Sequence, residues 1–448
     1  MSIRKAAYYG AHRLMGSSLG QVYEAYLIED STDVPLDTVE RSLVKLLNHC
    51  GQNVPYYSDL IARLGGSYQQ DPASYLQCFP ILTKDTIRKN FDSLTSKDLS
   101  KRKWIYNTSG GSTGEPIRLI QDRGYLDRQM AVQMLSFNWA GRAFGEPAVR
   151  IWGSERDILQ GGVGLKMKTL NQLTNDRYLN AFRMTPARMR SFIDLLNAHP
   201  PKLIIAYAQA IYELAQFAER EAIAVVPQSS ILTSAGTLYS FMREKLEAVF
   251  ACEVFDRYGS REVGDIACEC QAHAGLHIFP WTNYVEIVDD EGRSVPNGVE
   301  GNIVVTCTTN FAMPLIRYAI GDRGILSPRE ECRCGRRGQI LEKVLGRTVD
   351  AFQTKDGTLI DGEYFTHLLY FRDWVHKFQV VQTAHSRIVF KIVRSGAGCE
   401  AYELDEITEK TRAVMGSDCT VEFEFTADIP PSASGKYRYT ISEVQRPA

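Results

Sequence analysis

The chain has 448 residues, of which 44% are hydrophobic and 10% aromatic, and its formal net charge is −2. This length predicts more than one domain, because single domains mostly hold roughly 100–200 residues. The near-neutral charge argues against broad electrostatic binding of nucleic acid or of an anionic membrane. No apolar run reaches the ~18 residues of a membrane span and the N-terminus lacks a signal-peptide core, so we expect a cytoplasmic protein. Its ten cysteines are then expected to be thiols or metal ligands.

The N-terminal residues 1–75 are predicted to be mostly helical. Within residues 39–47, the side chains of Val39, Leu43, Leu46 and Leu47 recur at the spacing of one helix face. No motif reveals the role of this segment, which could pack on the large domain, cover a pocket or contact a partner. After it, Thr83 is the predicted N-cap of a short helix.

A glycine- and hydroxyl-rich stretch, YNTSGGSTGEP, occupies residues 106–116. It lies between strand-like residues 104–106 and 117–120, which predicts a hairpin-like loop. Glycines let the backbone approach a ligand closely, and hydroxyls and free amides can bind phosphate oxygens. The segment is not a Walker A loop, because Gly114, Glu115 and Pro116 stand where Gly-Lys-Ser/Thr would be required. An ordinary surface loop is the alternative.

The rest of the chain predicts an α/β protein. Residues 125–260 alternate between helical patterns and buried strands, which favours a parallel sheet. From residue 276 onward the pattern changes to alternating strands and turns, and after residue 347 it becomes a small α+β unit. The expected domains are a helical segment at 1–75, a large core at 76–346 and a C-terminal lid at 347–448.

Four downstream residues, together with the glycine-rich stretch, suggest a site. Glu262, in a predicted polar turn over residues 256–262, could hold Mg²⁺, which prefers oxygen ligands. Asp322, at a predicted strand end, could accept hydroxyl groups from a ribose. Arg347 could neutralise an anion, and Lys436, in a predicted flexible loop, could stabilise charge on a phosphate that is being cleaved. Each of these four could instead be an ordinary solvated side chain.

Taken in order, these segments resemble the adenylate-forming enzymes, and within them the phenylacetate–CoA ligase and CapK-like branch. The resemblance spans roughly residues 75–440. Leu82-Thr-Lys84 and Thr233-Ser-Ala-Gly236 are weaker matches. The stronger matches are Thr108-Ser-Gly-Gly-Ser-Thr-Gly114, Tyr258-Gly-Ser-Arg-Glu262, Arg317-Tyr-Ala-Ile-Gly-Asp322, Gly346-Arg-Thr-Val-Asp350 and Ser434-Gly-Lys436.

This resemblance implies a large adenylation domain, built of parallel and mixed sheets with helices and a β-rich subdomain, followed by a small mobile α+β domain. It implies that ATP and a carboxylic acid react to give an acyl-adenylate and pyrophosphate, with Mg²⁺ as cofactor. The acyl group then passes to an acceptor, expected to be the coenzyme A thiol. Rotation about a hinge near residues 347–350 would remove Lys436 between the two half-reactions.

The resemblance also assigns residue roles. Lys436, Glu262 and Thr113 would be catalytic, with Glu262 also holding Mg²⁺. One departure is that Glu115 stands where many relatives carry a lysine, which would lower the positive charge near the phosphates unless Arg118 or Mg²⁺ supplies it. The nucleotide-binding set would comprise Ser109, Gly110, Gly111, Ser112, Thr113, Gly114, Ala235, Gly236, Arg257, Tyr258, Gly259, Ser260, Asp322 and Arg347.

A separate group of cysteines and histidines predicts a zinc site. Cys270-x-x-His273 and Cys332-x-Cys334 together have the ligand count of a tetrahedral centre. His277 competes with His273 for the fourth position, and Cys268 is a spare thiol. Reduced core thiols are the alternative. Similar elements recur in the resembling branch, which implies a closed structural site joining the segment after Glu262 to the segment after Asp322.

The substrate and the acceptor stay open at this stage. By fold analogy, an acyl pocket would be lined by Trp139, residues 151–153, residues 206–208, Ala235 and Gly236, which would suit an aromatic or medium-sized acid. An amine or a sugar hydroxyl is the alternative acceptor to coenzyme A, and a non-catalytic zinc-stabilised nucleotide-binding module is the alternative to an enzyme. We expect no nucleic-acid partner and no membrane span, and a homodimer stays open.

Overall fold

The computed structural model describes residues 3–32, 37–108, 117–152, 172–181, 184–347, 352–360, 362–370, 372, 374–395, 398, 401–429 and 439–444. The helices, in chain order, are α1 Ile3–Leu14, α2 Leu19–Thr32, α3 Thr38–Asn53, α4 Pro55–Leu64, α5 Pro72–Leu76, α6 Lys84–Lys89, α7 Phe91–Leu94, α8 Arg123–Trp139, α9 Pro186–Ala198, α10 Ala208–Arg220, α11 Ser240–Phe250, α12 Gly362–Tyr370 and α13 Ala401–Met415.

The strands likewise follow in chain order. They are β1 Trp104–Thr108, β2 Arg118–Asp122, β3 Ala148–Trp152, β4 Asp176–Asn180, β5 Leu203–Tyr207, β6 Ser230–Ser234, β7 Glu253–Ser260, β8 Gly264–Glu269, β9 Leu276–Ile278, β10 Asn283–Val288, β11 Glu300–Cys307, β12 Tyr318–Leu326, β13 Ile340–Arg347, β14 Phe352–Gln353, β15 Leu359–Ile360, β16 Val375–Ala384, β17 Arg387–Arg394, β18 Thr420–Phe425 and β19 Thr440–Ser442.

The N-terminal helices are confirmed, and they pack on the rest of the protein. Leu43, Leu46, Leu47 and Cys50 of α3 follow the i, i+3, i+4, i+7 spacing of one helix face, and all four are fully buried. They share a core with the antiparallel strands near the middle of the chain. Helix α2 packs along α8. Among the roles left open for this segment, packing on the large domain is the one that the structure shows.

One large sheet organises the middle of the chain. Its strand order is β10-β11-β12-β13-β9-β8-β7-β6-β5-β3-β4, with β3 to β7 parallel and the remaining neighbours antiparallel. The predicted parallel sheet is therefore confirmed. Strand β6 is buried at every position, as expected where helices cover both faces of a parallel sheet.

Two predictions about segment ends were wrong. The predicted turn at residues 256–262 is mostly strand, because β7 continues through Ser260 and leaves only residues 261–263 for the turn into β8. Asp322 lies within β12 and not at a strand end, because the ladder with β13 extends the strand on both sides of it. Both segments carry glycine and polar residues, which lower intrinsic strand propensity, but pairing with neighbouring strands outweighs that propensity.

The predicted hairpin around the glycine-rich stretch has its two strands in place. Strands β1 and β2 pair antiparallel from Trp104 opposite Asp122 to Thr108 opposite Arg118. Residues 109–116, which connect the strands, lie outside the described residues. The predicted N-cap is confirmed, since the Thr83 hydroxyl accepts a hydrogen bond from the Thr86 amide at 3.2 Å.

The C-terminal part forms the expected small α+β unit, with a four-stranded sheet of order β18-β17-β16-β19 and helices α12 and α13. It contacts the large domain through charged groups on α10. Lys410 on α13 donates to both carboxylate oxygens of Glu213, at 2.5 and 2.6 Å, and Arg220 approaches Glu406 at 3.4 Å. Lys410 is only 5% exposed, so this contact is largely shielded from solvent.

Candidate functional site

The carboxylate of Glu262 is held in the short turn between β7 and β8. Its side chain is 8% exposed, and its Oε1 atom lies 3.5 Å from the hydroxyl of Tyr318 and 3.8 Å from the ammonium of Lys84. Thr83 caps α6, which begins at Lys84, so the ammonium that approaches Glu262 comes from the first residue of this helix. The carboxylate oxygens of Glu262 are of the kind that can coordinate a cation such as Mg²⁺.

The β1–β2 hairpin is tied to the same turn by two amide side chains, the buried Gln121 and the half-buried Asn107. Gln121 donates to the main-chain carbonyl of Arg261 at 3.0 Å, and Asn107 donates to Gln121 at 3.0 Å and to the same carbonyl at 3.4 Å. Because Thr108 closes the described part of β1, the glycine-rich segment begins beside the turn that carries Glu262. The structure thus brings the start of the predicted phosphate loop and the predicted magnesium ligand together.

Most residues assigned to that loop fall in the undescribed range. They are Ser109, Gly110, Gly111, Ser112, Thr113 and Gly114. Lys436 also lies outside the described residues, and for Arg347 the structure describes the main chain alone. The Arg347 backbone is the ladder partner of Asp322 across β12 and β13.

Tyr258 and Asp322 form the second part of the site. The Tyr258 hydroxyl lies 2.6 Å from Asp322 Oδ2, a short contact typical of a hydroxyl that donates to a carboxylate. Asp322 is half-buried. This pair joins β7, in the centre of the large sheet, to β12 in its antiparallel half.

Other members of the same motif have structural contacts. Arg257 points to the opposite face of β7 from Tyr258, since alternate strand residues face opposite sides. Its side chain is 4% exposed and pairs with Asp265 at 3.1 Å, which separates it from the Tyr258 side of the strand. Gly259 passes close to the next strand, and a Cβ there would lie 2.6 Å from the Gly264 carbonyl oxygen. The half-buried Ser260 accepts a 3.4 Å contact from the Val263 amide through its hydroxyl.

Ala235 and Gly236 follow the carboxyl end of β6. Ala235 has φ of 57°, a left-handed conformation that costs about 1 kcal/mol for a residue with a Cβ. The strand order β4-β3-β5-β6-β7 places a topological switch between β3 and β5, the position where open α/β sheets bind ligands. Trp152 and Tyr207 end these two strands, and their ring centroids are 4.1 Å apart. Three predicted segments of the acyl pocket therefore meet at one sheet edge.

Trp139, which was predicted to line the same pocket, lies elsewhere. It is 2% exposed at the end of α8, and its indole N–H donates to Asp30 at 3.0 Å. The Arg336 guanidinium lies 4.3 Å from its ring centroid, and the ring of His277 is 5.9 Å away. The helix carries this indole toward the cysteine cluster, and the prediction that it contacts substrate is not supported by its position.

Four predicted metal ligands converge at one place. Their donor atoms, from Cys270, His277, Cys332 and Cys334, all lie within 4.8 Å of one another. Cys270 Sγ is 3.8 Å from Cys332 Sγ, and Cys334 Sγ is 3.5 Å from His277 Nε2. Tetrahedral bonds of about 2.3 Å to sulfur and about 2.0 Å to nitrogen require separations of roughly 3.8 Å and 3.5 Å. These two separations therefore fit a tetrahedral zinc centre.

His273, the competing histidine, lies outside this cluster. Its Nδ1 atom is 3.4 Å from Glu269 Oε2, and its ring packs 4.9 Å from that of Phe255. Burial, with a smaller effect of the nearby Arg336 charge, lowers the pKa of His277 to about 4, so this imidazole is neutral and able to bind a metal near pH 7. Cys268 is fully buried in the apolar core and does not join the cluster.

The cluster connects three parts of the fold, and α2 covers it. Cys270 follows β8, His277 is in β9, and the other two cysteines precede β13. Asp30 of α2 accepts two hydrogen bonds from Arg336, both at 2.8 Å, in addition to the bond from Trp139. Sequence reasoning missed Asp30 because its partners Trp139 and Arg336 are 109 and 306 residues away in the chain. It also missed Asn107, Gln121 and Tyr318, whose only signal was their place within or beside the quoted motifs.

Comparisons with known proteins agree with this architecture. Residues 352–443 match the family model of the CapK C-terminal domain. The chain is 24% identical to Protein CapK of Staphylococcus aureus over 406 residues, covering 89% of this chain and 87% of that protein. It is 26% identical to phenylacetate-coenzyme A ligase of Aromatoleum evansii over 314 residues, covering 68% of each.

Solved structures support the same fold. The crystal structure of 2-hydroxyisobutyryl-CoA ligase in the postadenylation state, in complex with R3-HIB-AMP, aligns with a TM-score of 0.60 at 17% identity. The alignment covers 90% of this chain and 89% of that one. This likeness confirms the predicted α/β fold. The family model and the two relatives above confirm the predicted resemblance to the phenylacetate–CoA ligase and CapK-like branch. Among the described residues, no helix combines the length and apolar character that crossing a membrane requires.

Proposed function

We propose that this protein is an AMP-forming carboxylate ligase. The proposal is supported by the match to the CapK C-terminal domain, by the CapK and phenylacetate–CoA ligase homologues, and by a fold like that of an adenylate-forming acyl-CoA ligase. Its reaction joins a carboxylic acid to AMP and then passes the acyl group to the thiol of coenzyme A. The observation that carries this proposal is the convergence of the glycine-rich hairpin with the Glu262 turn, through Asn107 and Gln121.

The first half-reaction is an in-line displacement at the α-phosphorus of ATP. A carboxylate oxygen of the acid forms the new P–O bond while the bond to the pyrophosphate oxygen breaks. Positioning and charge neutralisation dominate such a step. We assign phosphate binding to residues 109–114, and we assign the contact with the acid and the α-phosphate to Lys436. These two assignments rest on the sequence motifs.

The described residues supply the rest of the nucleotide site. Glu262 would hold Mg²⁺, which supplies positive charge next to the phosphates when bound. Tyr258 would lie along the adenine, and Asp322 would accept the ribose hydroxyls while the Tyr258 hydroxyl keeps its carboxylate oriented. We assign Arg347 to the ribose as well, on the basis of its sequence motif.

The acid would bind at the carboxyl ends of β3, β5 and β6. Trp152 and Tyr207 meet there at the topological switch of the sheet. Their aromatic surfaces suit an aromatic or medium-sized acyl group. In the second half-reaction the thiol sulfur forms the thioester bond with the acyl carbon, AMP leaves, and the thiol proton passes to solvent.

The C-terminal unit would change orientation between these steps. Its contact with α10 in this structure, through Lys410 and Glu213, would be one of the arrangements it adopts. We place the hinge near residues 347–350, between the end of β13 and the C-terminal unit. Rotation there would move Lys436 away and open a path for the acceptor.

The cysteine cluster would hold a structural zinc ion. Its three sulfurs and one imidazole match the donor set of closed tetrahedral sites, with no position left for substrate. Burial raises the pKa of the Cys270 thiol to about 12, so a bound cation is what would keep this sulfur as a thiolate. The ion would hold β8, β9 and β13 in register behind both Glu262 and Asp322.

The decisive experiment is carboxylate-dependent exchange of labelled pyrophosphate into ATP, run with Mg²⁺ across aryl, aliphatic and amino acids. Exchange with one class of acid, lost in Lys436→Ala and kept in the surface control Lys355→Ala, is the expected result. Adding coenzyme A should then produce the thioester. Product on an added amine or sugar, with none on coenzyme A, would redirect the proposal to another acceptor. Absence of ATP binding would refute it.

A further inference from the structure

A basic cavity lies at the end of the β1–β2 hairpin remote from the glycine-rich segment. Its volume is about 420 Å³, within the range of about 300–1,000 Å³ that is usual for small-ligand pockets. The lining comes from α3, from the residues before β1 and from the start of α8. The lining residues are Lys45, His49, Arg102, Lys103, Asp122, Arg123, Gly124, Arg128 and Phe311.

Positive charge dominates this cavity, although the whole chain has a net charge of −2. Five of its lining side chains are cationic and one is a carboxylate. The pKa of His49 is lowered by burial and by the neighbouring Arg102 charge, so the imidazole is neutral near pH 7 and adds no charge. Such a concentration of like charges in a concave site attracts anions.

The nearby carboxylates are held by the surrounding structure. Asp122 caps α8, accepting from the Tyr125 amide at 2.8 Å, and it also accepts from the Phe311 amide at 3.2 Å. Asp127 accepts from the Ser18 amide at 2.7 Å. Asp98 pairs with Arg102 through two bonds of 2.8 Å. Counting these three acids, the cavity still keeps two positive charges. The cap also occupies the start of α8, so any anion must bind the cationic side chains.

Two exposed lysines line this cavity from different parts of the chain. Lys45 projects from α3, and its ammonium lies 5.5 Å from the centroid of the Phe311 ring. Lys103 projects from the residue before β1 and passes beside Gly16, where an added Cβ would lie 2.6 Å from its ammonium nitrogen. Gly16 has φ of 73°, so the turn between α1 and α2 leaves room for this lysine.

We propose that this cavity binds a small anion carrying two phosphate groups, at a site separate from the nucleotide site. Guanidinium and ammonium groups are the side chains that bind phosphate oxygens most strongly. The ligand would bridge the N-terminal helices to the base of the hairpin, because α3 contributes Lys45 and the hairpin is flanked by Lys103 and Asp122. This gives residues 1–75 a binding role that their sequence did not reveal.

The test is calorimetric titration of the full-length protein with fructose 1,6-bisphosphate at low ionic strength. Wild type should bind it, and each of Lys45→Gln and Lys103→Gln should weaken binding roughly tenfold, since a hydrogen bond to a charged group is lost. Lys202→Gln is the matched control, because Lys202 is exposed and lies near Ala140 at the far end of α8. Binding should also weaken as NaCl is added.

Two results would overturn the proposal. One is absence of binding to wild type at millimolar probe. The other is an equal affinity in wild type and in the Lys45→Gln/Lys103→Gln double variant, which would place the anion elsewhere. Both lysines are exposed, so the variants should keep the wild-type melting temperature. If the double variant has a lowered melting temperature, the affinity of the single Lys103→Gln variant is compared with that of wild type instead.

Discussion

The hydroxyl of Tyr258 lies 2.6 Å from Asp322 Oδ2, although the two residues are 64 positions apart in the chain. The contact crosses the large sheet from β7 to β12 and holds a half-buried carboxylate in one orientation. In the proposed enzyme this carboxylate accepts the ribose hydroxyls. The contact therefore gives a way to test the nucleotide site without removing the group that binds the nucleotide.

Tyr258→Phe removes only the hydroxyl of that contact. We expect the KM for ATP to rise about tenfold with a smaller change in kcat, because a hydrogen bond to a charged group contributes roughly 1.5–3 kcal/mol. Pyrophosphate exchange at varied ATP concentrations measures both constants. Tyr68→Phe, which loses an exposed hydrogen bond to Asn48, is the control. An unchanged KM in Tyr258→Phe would mean that Asp322 does not need this donor.

Cys334→Ser should remove one of the four ligands of the proposed zinc centre. We expect the metal content to fall from one equivalent toward zero and the melting temperature to fall, because β8, β9 and β13 lose their common tie. Elemental analysis and thermal unfolding measure the two effects. Cys78→Ser changes an exposed cysteine outside the cluster and should alter neither. His273→Ala should retain zinc, whereas His277→Ala should lose it, and the reverse pattern would contradict the structure.

The buried carboxyl group of Asp256 should make stability depend on pH. Burial, and then the charge of Glu269, raises the pKa of Asp256 to about 7. A raised pKa means that the folded state prefers the protonated form. The stabilising contribution is fully present below the unfolded pKa of about 3.9 and is lost as pH rises through about 7.

Asp256→Asn removes this titration while keeping a hydrogen-bonding oxygen for Thr233. We expect the variant to be more stable than wild type at pH 8, by on the order of 2 kcal/mol, with the difference shrinking as pH falls toward 4. Urea unfolding across this range measures it. Asp290→Asn, at a carboxylate that is 82% exposed, should show no such trend. A constant difference between Asp256→Asn and wild type at all pH values would refute the assignment.

The ion pair between Lys410 and Glu213 should hold the C-terminal unit against α10. The Lys410 ammonium lies 2.5 Å from the Glu213 carboxylate and 3.0 Å from that of Glu406, and Lys410→Met removes both ion pairs. We expect a loss of roughly 2–4 kcal/mol, below the full value for a completely buried pair because Glu213 is partly exposed. Small-angle X-ray scattering should show a larger radius of gyration as the unit separates.

A double variant separates the pair from the general effect of the substitution. Lys410→Met/Glu213→Gln should be less destabilised than Lys410→Met alone, because no carboxylate of α10 is then left unpaired. Lys355→Met, at the exposed pair with Asp418, should change stability by less than about 1 kcal/mol. Identical scattering from Lys410→Met and wild type would show that other contacts hold the unit.

Local patterns in the sequence were sufficient for the secondary structure and for the set of chemical groups. The spacing of Leu43, Leu46 and Leu47 predicts a helix face, and the alternation of helices with apolar strands predicts the parallel sheet, because both patterns depend on neighbours along the chain. The order of the glycine-rich segment, Glu262 and Asp322 likewise predicts the class of site. The sequence predicts the helix face, the sheet and the class of site because each depends on residues that are close together in the chain.

Which side chains meet could be learned only from the folded chain. His273 and His277 have equal claims by spacing, but the pairing of β9 with β8 and β13 brings His277 to the cysteines and leaves His273 beside Glu269. Trp139 faces this cluster because α2 and Arg336 enclose it, and strand alternation turns Arg257 away from the side that Tyr258 faces. Long-range strand pairing and helix docking set these directions, and neither leaves a signal in the residues nearby.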